Sequence, residues 1–383
     1  MKPAIVSRLP DVGTTIFTVM TQKAEQYGAL NLAQGFPDFP LPQGLAEALA
    51  RHVEAGHNQY APMAGLPQLR ECVAVDLERH FGCRVDPLTE VTVVPGATEA
   101  IFCAIMASVG PGDEVILFDP SYDSYEPSVR LAGARAVRIA LSQPDFTIDW
   151  QRVQEAIGPR TRLVVINSPH NPSGSVLSRA DLDRLGELAE RHGFLVLSDE
   201  VYAHLVYDGT RHHSVLAHPV LAPRSFAVFS FGKTYHATGW KTGYCVAPPE
   251  LSTELRRVHQ FVTFTGVTPI QHALADFMQS DPAHVDALGA FYQARRDLFC
   301  AALAGSRWRL RPSAGTYFQL LDYAEISDAD DIAMAEELVS RHGIAAIPVS
   351  VFHETPPARG LLRFCFAKQE HTLLRAAEVL CAI

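Results

Sequence analysis

Residues 225–244 read SFAVFSFGKTYHATGWKTGY. The run Ser225–Ser230 is continuously apolar rather than alternating, the pattern of a strand whose sheet is covered on both faces. Beyond it a turn punctuated by Gly232, Gly239 and Gly243 presents two lysines, Lys233 and Lys241. Outward from this segment the same pattern recurs in VTVV (91–94), EVILF (114–118), RLVVIN (162–167) and FLVLSDE (194–200). Helical patterns lie between these runs, at TEAIFCAIMASV (98–109) and at SRADLDRLGELAERHG (178–193). The second is opened by Ser178 as N-cap and closed by Gly193. Buried strands alternating with helices predict an α/β fold with a mostly parallel sheet sandwiched by helices. The flanks differ: residues 1–45 are loop-rich, and 280–383 mix long helices with short strands such as GTYFQLLD and LLRFCFA. We expect a small α/β domain built from residues 1–45 and 280–383 beside a large domain of 46–279.

A chain of 383 residues exceeds the size at which one hydrophobic core stops growing. Apolar residues at 48% and charged residues at 19% fit a globular enzyme, and a net charge of −10 without basic clusters argues against nucleic acid as a partner. The seven cysteines are odd in number, widely spaced and never in a CxxC pair, so neither a disulfide framework nor a zinc knuckle is favoured. The N-terminal segment lacks the apolar core of a signal peptide, and no apolar run reaches the ~18 residues of a membrane span. We expect a cytoplasmic protein with no membrane partner.

Four strand ends carry polar groups. After VTVV, a helix starting near Thr98 would aim the backbone N–H groups of Ala97 and Thr98 outward, which favours a phosphate, although such a turn is often only a turn. VVINSPHNPSG puts Asn167 and Asn171 at another carboxyl end, where open α/β sheets bind ligands or where asparagines merely shape a loop. FLVLSDEVY ends a buried strand on Asp199 and Glu200, with Tyr202 close behind. A carboxylate there needs a cation, which a pyridinium nitrogen or an arginine would supply. Ser225–Ser230 ends on Ser230 and Lys233, and lysine condenses with carbonyls as the neutral amine. Phosphate donors, a carboxylate, a phenol, an amide and an amine together describe pyridoxal 5'-phosphate (PLP). His212, His213 and His218 of RHHSVLAH lack metal-ligand spacing and read as surface residues.

NSPHNPSG, SDEVY and SFGKTYHATGWKTGY, in this order, resemble the motifs of the aspartate-aminotransferase fold type of PLP enzymes. The likeness extends through LNLAQGFPDFPLP, NQYAPMAGLPQLR, DPSYDSYEP and GTYF to LLRFCFAKQE. In detail it is similar to the kynurenine/glutamine aminotransferase branch, and within it to bacterial methionine aminotransferases. The resemblance implies that Lys233 binds the cofactor covalently and moves the substrate proton. It implies that Asp199 keeps the pyridine nitrogen protonated and that Asn171 and Tyr202 bond the ring oxygen. Ala97, Thr98, Ser230 and Lys241 would hold the phosphate, although many relatives carry arginine at the last position, and Tyr122 would stack on the ring. Tyr60 would reach the phosphate of a neighbouring subunit, making a homodimer with shared active sites. Arg363 and Gly35 would take the substrate α-carboxylate. Phe17, Tyr60 and Phe264 would line an aromatic pocket for methionine or aromatic side chains, with a 2-oxo acid as acceptor. A carbon–sulfur β-lyase on the same scaffold, or kynurenine/glutamine transamination as the main activity, remain alternatives. A PLP-sensing transcription regulator is disfavoured because AQGFPDF arrives by residue 39, and a dehydrogenase because no GxGxxG follows any strand.

Overall fold

The computed structural model describes residues 5–357 and 360–383; residues 1–4, part of the expected N-terminal flank, and 358–359 lie outside the described residues. The five expected strands all form, and with two more they build a seven-stranded sheet. Its order is Val91–Val94, Gly243–Val246, Ser225–Ser230, Leu195–Asp199, Thr161–Asn167, Glu114–Asp119 and Arg135–Ala140. Gly243–Val246 is antiparallel to both neighbours; the four pairs beyond Ser225–Ser230 are parallel.

Alternation explains the continuous apolar runs. Val164, Val196 and Ala227 face one hydrophobic cluster, while Leu163, Val165, Leu197, Phe226 and Val228 face another on the opposite side. Nearly every residue in the middle of such a strand is buried because both faces carry helices. The helix Arg179–His192 starts with a reciprocal capping box between Ser178 and Asp181 and stops at Gly193, which adopts the left-handed conformation (φ 77°). Arg135–Ala140 was not legible as a strand because it lies on the sheet edge, where arginines at 135 and 138 interrupt the apolar run.

A second, three-stranded antiparallel sheet comprises Ile347–Pro348, Leu361–Cys365 and Phe318–Asp322. The N-terminal flank joins this part of the chain: Leu30–Asn31 pairs in parallel with Ile344–Ala345, and Met20 and Ala24 of the helix Ile16–Tyr27 share a core with Leu338, Phe364 and Leu373. No helix among the described residues is long and apolar enough to cross a membrane.

The register of the large sheet decides where the polar groups go. Asn167 lies opposite Asp199, Asp199 opposite Val228, and Ser230 opposite Gly243. The strand-end motifs therefore open side by side at one edge, facing the small sheet that carries Arg363.

Candidate active site

A cavity of about 270 Å³ lies at that edge. Phe17, Gly35, Ala97, Thr98, Tyr122, Asn171, Asp199, Tyr202, Ser230, Lys233, Lys241 and Arg363 all line it. Tyr60 and Phe264 do not. They pack edge-to-face on each other with ring centroids 5.6 Å apart, and Tyr60 is 85% exposed. A single chain does not bring these two to the cavity, because the segments that carry them lie on the outer surface.

Lys233 stands in the short helix Phe231–Thr234 that follows its strand. Its Nζ donates to the Tyr317 phenol oxygen at 2.8 Å and to the Gly35 carbonyl at 3.2 Å. Burial, with Arg363 and Lys241 adding like charge, brings the ammonium down to about 8. The neutral amine is therefore far more accessible than on a solvated lysine.

Asp199 ends the neighbouring strand. Its Oδ2 accepts a 2.6 Å hydrogen bond from the Tyr125 phenol and its Oδ1 a 3.3 Å bond from the Val201 N–H. Burial raises the carboxyl to about 6, although both hydrogen bonds and the charge of Lys233 pull the other way. A cation brought to this carboxylate would be paired in a low dielectric.

An anion-binding pole lies across the cavity. Gly96 precedes the helix Ala97–Ser108 with φ 87°, and Lys241, itself left-handed at φ 48°, lies against it: a Cβ on Gly96 would stand 3.4 Å from Nζ. A helix N-terminus and an ammonium thus face the same space.

Arg363 forms the third pole. Its Nη1 donates to Asn171 Oδ1 at 2.9 Å and its Nη2 to the Ala33 carbonyl at 2.8 Å, while its buried Nε has no hydrogen-bond partner among the described residues. Burial lowers its pKa, and its guanidinium lies 3.9 Å from the Phe318 ring centroid and 5.1 Å from that of Phe17. Among the described residues no carboxylate pairs with this buried cation, so an incoming carboxylate would find both charge and donors.

Tyr122 is pushed up to about 12 by burial and stays a neutral phenol, and Tyr202 packs edge-to-face on Tyr317 at 5.1 Å. Sequence reasoning missed the parts played by Tyr125 and Tyr317. Both lie in segments that carried the resemblance, but each meets its partner across a long separation, Tyr125 to Asp199 and Tyr317 to Lys233. The histidine reading needs correction: His212 and His218 are buried. The His212 side chain is 1% exposed and bonds Glu200 at 2.7 Å, and His218 bonds Asp183 at 3.1 Å. Glu200, buried beside Asp199, needs a hydrogen-bonding partner, and the loop folds back to supply one.

The model of the family "Aminotransferase class I and II" matches residues 27–380. The chain belongs to the class I and II aminotransferases. This aminotransferase is 52% identical to a methionine aminotransferase of Escherichia coli (strain K12), over 97% of its own length and 96% of the relative's. It is 40% identical to a probable N-succinyldiaminopimelate aminotransferase of Mycobacterium tuberculosis, covering 96% of each chain. A crystal structure from Escherichia coli, described as identifying a methionine aminotransferase function, superimposes with a TM-score of 0.97 at 51% identity, covering 100% of both chains. A Thermus thermophilus aspartate aminotransferase mutant gives 0.90 at 31% identity, with 99% of each covered.

The cofactor is pyridoxal 5'-phosphate, and the donor set fits it. A neutral-prone amine suits its aldehyde, a buried carboxylate its ring nitrogen, and a helix N-terminus beside a lysine its phosphate.

Proposed function

We propose that this aminotransferase takes the amino group of methionine, and of other neutral amino acids with apolar or aromatic side chains, and delivers it to a 2-oxo acid in two successive half-reactions. The observation that carries the reading is the surroundings of Arg363: one buried guanidinium with an unpartnered Nε, flanked by Phe17 and Phe318, and no second arginine among the described residues lining the cavity. One cation serves one α-carboxylate, and the aromatic walls then favour an uncharged side chain. The full-length likeness to a methionine aminotransferase supports the same donor. The 32% identity to a mouse kynurenine–oxoglutarate transaminase supports aromatic donors as well.

In this reading Lys233 would hold the cofactor covalently through its amine, and the same amine, once free, would be the base that moves the proton of substrate Cα. Bound there, the cofactor supplies a sink for the electrons left on Cα. Asp199 keeps the ring nitrogen protonated, and Asn171 and Tyr202 bond the ring oxygen. Ala97, Thr98, Ser230 and Lys241 hold the phosphate, and Tyr122 stacks on the ring. Arg363 and the backbone of Gly35 orient the carboxylate, with Phe17 against the side chain. Tyr60 and Phe264, which do not line the cavity of their own chain, complete the site of a second subunit in a homodimer.

The direct test treats the PLP-loaded enzyme with L-methionine alone. About one equivalent of the keto acid per site is expected, as the cofactor absorbance changes to that of its aminated form; absence of keto acid would sink the reading. Pyruvate and ammonia from a cysteine conjugate, without any acceptor, would show β-lyase chemistry instead. For the shared site, inactive Lys233→Ala chains are mixed with Tyr60→Ala chains. Recovered activity supports the shared dimer, and none refutes it.

A further inference from the structure

A second group of chemistry-bearing side chains lies away from the cavity. His52, near the end of the helix Gln43–Glu54, His57, in the loop that follows, and His272, on the helix Thr268–Ser280, present nitrogens all within 4.8 Å of one another. The backbone builds this juxtaposition. Gly56 turns the chain at φ 85°, the His57 N–H donates to the His52 carbonyl at 3.1 Å, and the Thr268 hydroxyl donates to the Gln59 carbonyl at 2.6 Å. The three rings lie nearly parallel, with centroids 4.3 to 5.0 Å apart.

We propose that His52, His57 and His272 form a binding site for a zinc-like divalent transition-metal ion, oriented by Asp276. Asp276 lies one turn beyond His272 on the same helix, and its Oδ2 is 2.8 Å from His52 Nε2. A carboxylate at Nε2 fixes the proton there and leaves Nδ1 unprotonated, the arrangement that orients metal-bound imidazoles. That Nδ1 points at His57 Nδ1, 2.8 Å away. His272 completes the set and makes no hydrogen bond to the described residues. Three imidazoles with an open fourth position are a zinc donor set.

Nitrogens bound at about 2.0–2.1 Å to a tetrahedral ion stand roughly 3.4 Å apart, inside the 4.8 Å that bounds the three nitrogens; because each lone pair lies in its ring plane, closure also requires the stacked rings to turn toward a common point. His57 sits in an exposed loop and can move that far. No net proton need leave, because His57 only exchanges its Nδ1 proton for one on Nε2. The consequence is a cross-link between two helices and the segment Gly56–Ala61, which carries Tyr60. In the other cluster, Asp76 is already paired with both His80 and His204, and His80 bonds Asp286 through its second nitrogen.

The test is calorimetric titration of untagged, PLP-loaded enzyme with zinc chloride. We expect about one equivalent per chain, an affinity lowered at least ~10-fold by His57→Gln and by His272→Gln, and lowered ~10-fold by Asp276→Asn. His204→Gln should leave it unchanged. His57→Gln alters an exposed loop residue, so its fold is safe, and equal thermal melts check the others. Zinc should also slow deuterium exchange at residues 56–61 in the parent enzyme but not in His272→Gln. No zinc uptake by the parent enzyme, uptake unaffected by both histidine substitutions, or uptake lost in His204→Gln overturns the site.

Discussion

The phenol of Tyr125 donates a 2.6 Å hydrogen bond to Oδ2 of Asp199, and both groups are buried. This bond stabilises the carboxylate in a place where burial has raised it to about 6. An acid raised above its ordinary value is ionised only above the raised pKa, so the ring nitrogen's partner is lost as pH falls through about 6. Tyr125→Phe removes a hydrogen bond to a charge and should move this loss upward by about one pH unit. PLP affinity of the cofactor-free protein, titrated from pH 5 to 9 in both forms, reads the shift; superimposed profiles would remove Tyr125 from this role.

The two lysines should separate cleanly. Lys233→Ala is expected to abolish turnover and the visible band of the attached cofactor. Lys241→Ala should keep the band at high PLP while weakening cofactor affinity roughly 10-fold, the order of a charge-assisted contact. A persistent band in Lys233→Ala would reverse the two roles. Because Lys233 sits near 8, cofactor attachment should also accelerate about 10-fold per pH unit up to that value and level off above it.

Arg363→Lys keeps the charge and loses the fork that bonds Asn171 and the Ala33 carbonyl. KM for L-methionine should rise ~10- to 100-fold with a smaller change in kcat. If kcat alone fell, Arg363 would be supporting the chemistry rather than holding the substrate.

A stability prediction concerns His80, whose Nδ1 is 3.0 Å from Asp76 and whose Nε2 is 3.0 Å from Asp286. Hydrogen bonding to Asp76 raises it to about 9 despite burial. A histidine raised in the folded state contributes fully below its unfolded value near 6.5, and the contribution is lost as pH climbs through 9. His80→Gln should therefore lower stability by about 1–2 kcal/mol at pH 6, solvent screening the partly exposed pair, and much less at pH 9.5, measured by chemical denaturation. An equal loss at both pH values would contradict the ionic account.

The residues that chemistry must place on a strand end were legible before any coordinates. Asp199 closes a largely apolar run, Lys233 follows another, and the mostly parallel sheet follows from strands buried on both faces; the register that sets Asn167 beside Asp199 is seen only in the fold. What could not be read were partners chosen by tertiary packing. Tyr125 and Tyr317 sit in ordinary aromatic positions, and only the fold shows which polar atom each phenol meets. His212 illustrates the opposite error: a polar loop conceals a buried base because Glu200, which it satisfies, is remote from it in the alternation pattern. Tyr60 and Phe264 were placed in the pocket by resemblance alone, and within one chain they pack on each other at the surface instead.

Gly96 and Lys241 leave each other almost no room. Any Cβ at 96 would stand 3.3 Å from the lysine's Cε on a backbone already in the left-handed region, and a Cβ at Gly243 would meet the Phe229 carbonyl at 2.5 Å. These positions are not free to drift independently over evolutionary time. A descendant that acquired a side chain at 96 would strain a left-handed backbone and push the end of Lys241 aside by a few tenths of an ångström, so the anion pole ties the two columns to each other.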